Sequence, residues 1–483
     1  MKWSDRQLAI FDAYENTRKN IAIEATAGGS KTTCIVECCR RTPPNKKVLF
    51  MAFNKSIAEE LRERLPSHID VNTFHSKGLR VLLFNFRIKP KINENKCFVI
   101  GKKILDTKDM DVKQQIRYLF EIQIIWNYIR VNLITDYEKE IPGICIEKNI
   151  EFQERMVGDM EQIRNAWHKE MKKINSVKEI NIDFTDMLYF PYQLLDSEDF
   201  PKYDIVTLDE QQDANTLQKE LALRYIKKSG RFVVVGDSRQ CIYGFQGSSL
   251  EVFKSLQSYP NTIVLPLDIT YRCGKNIVEE ARKVFDNGIV AAPNAIDGIV
   301  RKGEFDEAEN GDFILCRNNL PLATVFLYLL EMGKKATIKG KDYGDALVAL
   351  VDKIKHIEDL DTMCEKKISE LKERGFTDIQ AKNNPSYVTL LEKCTILKIL
   401  YKNWGDMKKL EDNIKEIYKD DTEGIVLSTI HKSKGLEADR VFLLNRSLIP
   451  SKYANTEEAL YNEKCLLFVA ITRARKELVY CNV

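Results

Sequence analysis

Short runs of β-branched and apolar residues recur along this chain, each followed at once by small, polar or charged residues. They are Ile21–Ile23, Val48–Phe53, Ile205–Leu208, Phe232–Val235, Phe313–Leu315, Ile425–Leu427 and Val441–Leu444. Runs this short, with functional residue types at their carboxyl ends, predict buried parallel strands whose tips carry the chemistry. Helical periodicity separates them. Two stretches are long, charged and helical: residues 81–180, which include Val112–Tyr128 and Glu151–Lys173, and residues 350–419, rich in Lys and Glu. The pattern predicts an α/β protein with two parallel-sheet cores. The first takes residues 1–80 and 181–265, the second residues 266–349 and 420–483, and a mainly helical insertion interrupts each. Charge within the insertions reads as a solvated helix face.

Length and composition narrow the class. The 483 residues suffice for several domains, and 44% apolar with 30% charged residues is a globular balance. Lys and Arg total 74 against 71 Asp and Glu, a net charge of +3, so a nucleic-acid site has to be a local groove rather than a global cationic field. No apolar run approaches the roughly 20 residues of a membrane helix; Pro321–Leu330 reads as a buried helix, and the N-terminus lacks the apolar core of a signal peptide. The 12 cysteines contain no C-x-x-C pair, although Cys34, Cys38 and Cys39 cluster on a predicted helix. Reduced thiols and a cytoplasmic location are expected, without a metal cluster and without a membrane partner.

The segment Glu24-Ala25-Thr26-Ala27-Gly28-Gly29-Ser30-Lys31-Thr32-Thr33 follows one strand-like run and precedes a helical one. That context suits a phosphate-cradling loop. Backbone N–H groups of Ala27 to Thr33 and a helix N-terminus face the anion, Lys31 reaches the β- and γ-phosphates, and the Thr32 hydroxyl helps hold Mg²⁺. Ser30 stands where this pattern wants glycine. A positive φ there costs roughly 1–2 kcal/mol, some of which Gly29 can absorb. A second run, Tyr203 to Leu208, ends in Asp209 and Glu210. Asp209 is placed to bind Mg²⁺ through water, and Glu210 to orient or deprotonate an attacking water. A nucleotide and Mg²⁺ are the implied cofactors.

Further motifs, in order, resemble the UvrD/Rep-type superfamily 1 DNA helicases. Gln7 in Ser4-Asp5-Arg6-Gln7 looks like the family's adenine-reading glutamine, and Asp209-Glu210-Gln211-Gln212-Asp213 like its acidic box. The run from Gly236 to Gly247 is similar to its third motif, Tyr271-Arg272 to its fourth, Thr429 to Glu437 to its fifth and Val469 to Arg475 to its sixth. The resemblance implies two RecA-like cores of the P-loop NTPase class with ATP in the cleft between them. It implies that Gln240 senses the γ-phosphate, that Tyr271 stacks on adenine and Glu437 contacts the ribose, and that Arg272 and Arg473 neutralise charge on the transferred phosphate. It also implies a single-strand track: Phe53 and Phe245 against bases, Thr73, His75 and His431 at the backbone, with Asn54, Tyr243 and Ser433 alongside. Asp183-Phe184-Thr185-Asp186-Met187 resembles a short family box to which no chemistry is assigned.

The implied activity is that of an ATP-driven single-stranded DNA translocase and helicase acting on single-strand/duplex junctions, with 3′-to-5′ polarity carried over from the resemblance. The alternative is a nucleotide-gated single-strand-binding protein whose ATPase is weakened by Ser30; an RNA helicase is a third reading. For individual residues the competing readings are plain. Arg473, Arg475 and Lys476 could mark a solvated basic helix, and Tyr271 a core aromatic.

Overall fold

The computed structural model describes residues 3–148, 150–242, 250–286, 288–373, 376–419, 424–454 and 456–483. The chain divides into two compact units. One comprises Met1–Thr26 and Ser30–Asp268, the other Ala27–Gly29 and Ile269–Val483.

In the first unit a parallel sheet runs in the order Ile69–Thr73, Val48–Ala52, Tyr203–Leu208, Ile226–Gly236, Asn20–Ala25, Thr262–Leu267. Alternate residues face opposite sides. Ala22, Leu49, Met51, Val206, Leu208 and Val234 enter one core, and Ile21, Ile23, Phe50, Ile205, Val233 and Val235 the other. Both faces are covered, which is why these strands are continuous apolar runs rather than alternating ones. The register sets Leu208 against Val234 and Ile23 against Val235, so three neighbouring strands end at one level. Sequence reasoning passed over Ile69–Thr73, whose Asp70 and Asn72 break the apolar run, and Thr262–Leu267, which lies at the sheet edge.

The first insertion holds helices Lys96–Ile104, Val112–Asn132, Tyr137–Glu147 and Arg155–Lys172. A parallel pair, Lys89–Ile92 with Glu179–Ile182, closes its base. The helix Phe74–Phe86 runs unbroken through position 80 and packs on Asp186–Leu194.

At that base lies a buried polar network. Arg130 forks onto Asp183 at 2.7 and 2.9 Å and reaches Asp186 at 2.8 Å. Asp186 also accepts from Lys96 at 2.5 Å and from the Trp167 indole at 2.8 Å. Lys96 and Arg130 both lie over the Trp167 ring, at 4.1 and 4.5 Å. Burial drives the Asp186 carboxyl up, against the pull of the two cations.

In the second unit a parallel sheet runs Ile299–Lys302, Ala474–Cys481, Ala438–Leu444, Phe313–Cys316, Ile425–Thr429, Ala336–Lys339, Tyr418–Lys419. Helices Asp359–Glu373, Asp378–Asn383, Pro385–Trp404 and Met407–Ile417 form the second insertion. The competing reading of Arg473 to Lys476 as a solvated basic helix does not hold: Ala474–Cys481 is a strand, and Arg473 is buried. Its charged residues Arg475, Lys476 and Glu477 run together ahead of buried Leu478, Val479 and Cys481, so the basic run carries no strand-like alternation. All 12 cysteines are buried, and none forms a disulfide. Among the described residues no helix is long and apolar enough to cross a membrane.

Candidate functional site

Three neighbouring strand tips of the first unit bring the nucleotide candidates together. After Asn20–Ala25 the chain turns into the helix Lys31–Arg40, with Ser30 as its N-cap in the left-handed region at φ 61°, ψ 39°. Gly28, at φ 67°, is also left-handed, whereas Gly29 is not, so Gly29 does not absorb the strain at Ser30. Lys31 Nζ lies 2.9 Å from Glu210 Oε2. The Thr32 hydroxyl donates to Asp209 Oδ2 at 2.8 Å. Glu210 is itself left-handed at φ 50°, its N–H donating to Asp209 Oδ1 at 2.9 Å. Gln212 ties the second tip to the third: its amide nitrogen donates to Glu210 Oε2 at 2.5 Å and its amide oxygen accepts from Asp237 N at 3.0 Å. Gln240 donates to Asp237 Oδ2 at 2.7 Å.

The electrostatics follow from burial. Desolvation, aided by the neighbouring Glu210 charge, pushes the Asp209 carboxyl up to about 6, against Lys31 and the Thr32 hydrogen bond. Burial works against the Lys31 ammonium, but Glu210, Asp237 and Asp209 outweigh it and raise its pKa. A lysine at a helix N-terminus suits a phosphate, and the hard oxygens of Thr32 and Asp209 suit Mg²⁺. Thr33 is half-buried on the same helix and Ala27 is buried. Gln7 is buried too, and its amide oxygen accepts from Ser4 N at 3.0 Å in a capping box of the helix Asp5–Asn16.

Relieving Ser30 is expected to help. Ser30→Gly should raise stability by roughly 0.5–1 kcal/mol and leave ATP turnover unchanged or higher. Thermal melting and phosphate release check this; a large loss of turnover would mean that the hydroxyl itself is required.

In the second unit Arg272 pairs with Glu437 and donates to the Thr472 carbonyl at 3.2 Å. Arg473 donates to the carbonyls of Val469 and Leu436 at 3.1 and 3.0 Å. These contacts gather Arg272, Glu437 and the Thr472–Arg473 corner. Tyr271 is 47% exposed, which goes against the competing reading of a core aromatic. Its N–H donates to the Gly28 carbonyl at 3.0 Å. A Cβ at Gly28 would meet Arg272 Cβ at 2.5 Å and Thr270 Oγ1 at 2.6 Å, so only glycine fits there.

The nucleic-acid candidates divide. Phe53 stands 38% exposed beyond the strand Val48–Ala52. Asn54 and Thr73 are N-caps, accepting from Ile57 N at 2.9 Å and Ser76 N at 3.2 Å. His75 is half-buried beside the ring of Phe184, centroids 6.2 Å apart and edge-on. Ser433 is not brought to the surface: it is fully buried and its hydroxyl donates to Ile430 O at 2.8 Å. Tyr243 and Phe245 lie outside the described residues.

Comparison with known proteins decides the family. The sequence model of the UvrD/REP helicase N-terminal domain matches residues 7–260, and that of the UvrD-like helicase C-terminal domain matches residues 154–482. The chain belongs to the UvrD/Rep helicase family. Its relatives include F-box DNA helicase protein 1 of Schizosaccharomyces pombe, 24% identical over 99% of this chain and 57% of that protein. ATP-dependent DNA helicase Rep of Buchnera aphidicola subsp. Schizaphis graminum is 24% identical over 62% of this chain and 49% of its own length. Rep of Buchnera aphidicola subsp. Acyrthosiphon pisum is 21% identical over 97% of this chain and 94% of its own length. The chain thus spans about half the length of the first two of these relatives.

For a UvrD/Rep-family chain, two features escaped the sequence reading. Phe184, 52% exposed next to His75, is an aromatic surface that its box signalled only by position. Gln212 bridges Glu210 and Asp237, and nothing in its spacing announces that.

His431 carries a pH prediction. Burial, with Arg317 nearby, pushes its imidazole down to about 4, against the opposing pull of Glu463. The folded ring is neutral, whereas the unfolded one titrates near about 6.5. Between those values the unfolded chain binds the extra proton, so stability falls as pH drops from about 6.5 towards about 4. His431→Gln is expected to flatten that limb, by up to about 3 kcal/mol at its acid end. Urea unfolding at a series of pH values tests it; equal slopes for the two proteins would show that another group is responsible.

Proposed function

We propose that this chain is an ATP-driven single-stranded DNA translocase that unwinds duplexes from a 3′ tail, with ATP and Mg²⁺ as its nucleotide and metal. The observation that carries the reading is the Lys31–Glu210 and Thr32–Asp209 pairing beyond the tips of two strands that flank Ile226–Gly236. Lys31 and the N–H groups from Ala27 to Thr33 bind the phosphates. Thr32 and Asp209 hold Mg²⁺, which supplies charge neutralisation on the phosphate oxygens. Glu210 takes the proton of the attacking water. For that, Lys31 has to exchange the Glu210 carboxylate for the incoming phosphate, which leaves the base free when substrate is present. Gln240, hydrogen-bonded to Asp237, reports the γ-phosphate. Arg272 and Arg473 neutralise charge developing on the transferred group. Gln7, Tyr271 and Glu437 take the adenosine.

Single-stranded DNA and its junction with duplex are the partners in this reading. Phe53 and the Phe184–His75 pair offer stacking surfaces, which are sequence-tolerant and suit a motor that steps over any base. Thr73, Asn54 and His431 lie at strand ends or helix starts, where backbone phosphates are met.

The experiment is phosphate release with and without single-stranded DNA, followed by unwinding of duplexes bearing a 3′ or a 5′ tail. Strong stimulation and unwinding from the 3′ tail are expected. Unwinding only from the 5′ tail overturns the polarity. DNA binding without stimulated turnover supports the alternative raised by the strained Ser30, a nucleotide-gated binding protein. Stimulation by RNA above that by DNA of equal length would make it an RNA motor.

A further inference from the structure

The helix Asn319–Glu331 follows the strand Phe313–Cys316 closely. Its N-cap residue, Asn318, has an extended backbone but makes no side-chain cap bond. The first-turn donors are met from far along the chain. Asn319 N and Leu320 N both donate to Glu392 Oε1, at 2.9 and 3.0 Å. Glu392 belongs to the helix Pro385–Trp404 of the second insertion, which packs against Asn319–Glu331. A carboxylate there satisfies orphan N–H groups and complements the helix dipole.

Directly before this cap stands Arg317. It forks onto Glu463 at 2.8 to 3.2 Å, and Glu463 also accepts from Ser451 N at 3.0 Å. His431 lies two residues past the strand Ile425–Thr429, which pairs with Phe313–Cys316. Ile430 N donates to the Cys316 carbonyl at 3.0 Å, tying the two strand ends together. The Glu392 cap, the Arg317–Glu463 fork and His431 therefore form one polar seam at the carboxyl ends of neighbouring strands.

We propose that Glu392 is a positioning residue through which the second insertion sets the orientation of the Arg317–Glu463–His431 seam for single-stranded DNA. The inference rests on the proposed DNA-dependent motor function and gives the second insertion a task in it. If the insertion helix moves, the first turn of Asn319–Glu331 loses its acceptor and Arg317, two residues before that turn, loses its register. Glu392 touches neither nucleotide nor DNA in this scheme; it acts through the seam.

The test uses the full chain and an oligo-dT strand as probe. E392A is expected to raise the oligo-dT concentration for half-maximal ATP turnover on the order of tenfold. Turnover without DNA should stay within about twofold, because the nucleotide groups are not touched. E392Q keeps an acceptor oxygen without the charge and should shift the half-point by about threefold. Asn318→Asp, added to E392A, supplies a local cap. It is expected to restore the melting temperature but not the half-point. An unchanged half-point in E392A overturns the proposal, and so does N318D restoring both quantities, since Glu392 would then be only a cap. If E392A does not fold, E392Q decides, and no shift overturns. A wild type whose turnover ignores oligo-dT defeats the motor reading itself, a result distinct from these.

Discussion

Glu210→Gln is expected to cut single-strand-stimulated ATP turnover by about a hundredfold to a thousandfold while leaving nucleotide binding intact. The size follows from the geometry. The glutamine is isosteric and can still accept from Gln212 and meet Lys31, so the strand tip keeps its shape. What it cannot do is take a proton from water. The Lys31–Glu210 ion pair at 2.9 Å also competes with phosphate for the lysine. Neutralising Glu210 removes that competition, so nucleotide affinity should hold or rise. Steady-state phosphate release and a fluorescent-nucleotide titration separate the two effects. Turnover within about threefold of wild type would show that another group serves as base.

Asp186→Ala is expected to destabilise the first unit by roughly 3–5 kcal/mol. Asp186 accepts from Lys96, Arg130 and Trp167 in a site closed to water. Deleting it leaves Lys96 a buried cation without its ion-pair partner, and Arg130 with Asp183 alone among its carboxylates. Removing one member of a buried charge network costs far more than the network contributes against an apolar substitute. Trp126 and Trp167 are fully buried beside it, so urea unfolding followed by tryptophan fluorescence reads the loss at its source. A loss below about 1 kcal/mol would mean that the network is wetter or more adaptable than its geometry.

The contrast between these two sites explains what a sequence tells. That the Lys31 loop and the Asp209–Glu210 pair come together was legible because each is a fixed local spacing of residue types directly after a strand-like run. Strands such as Val48–Ala52 were legible because burial on both faces writes an unbroken apolar run. The Asp186 network was not. Its partners lie 90 and 56 residues away in Lys96 and Arg130, and charged residues on helices read as solvated faces until packing brings them inside. The strand Ala474–Cys481 was missed because its basic start resembles a helix surface. Asn54 and Thr73 sit where a nucleic-acid motif was read, yet the backbone already uses their side chains as caps. Local chemistry is written locally; tertiary electrostatics is not.

The burial of every native thiol has a practical corollary. Desolvation pushes Cys39 and Cys97 up to about 12 and Cys273 and Cys316 up to about 11, so few thiolates form at neutral pH and none is readily reached. A single cysteine engineered onto an exposed face would outpace all of them with maleimide dyes. Pairs of such sites, one on each unit, permit distance measurements during turnover without first stripping the native protein of its sulfur.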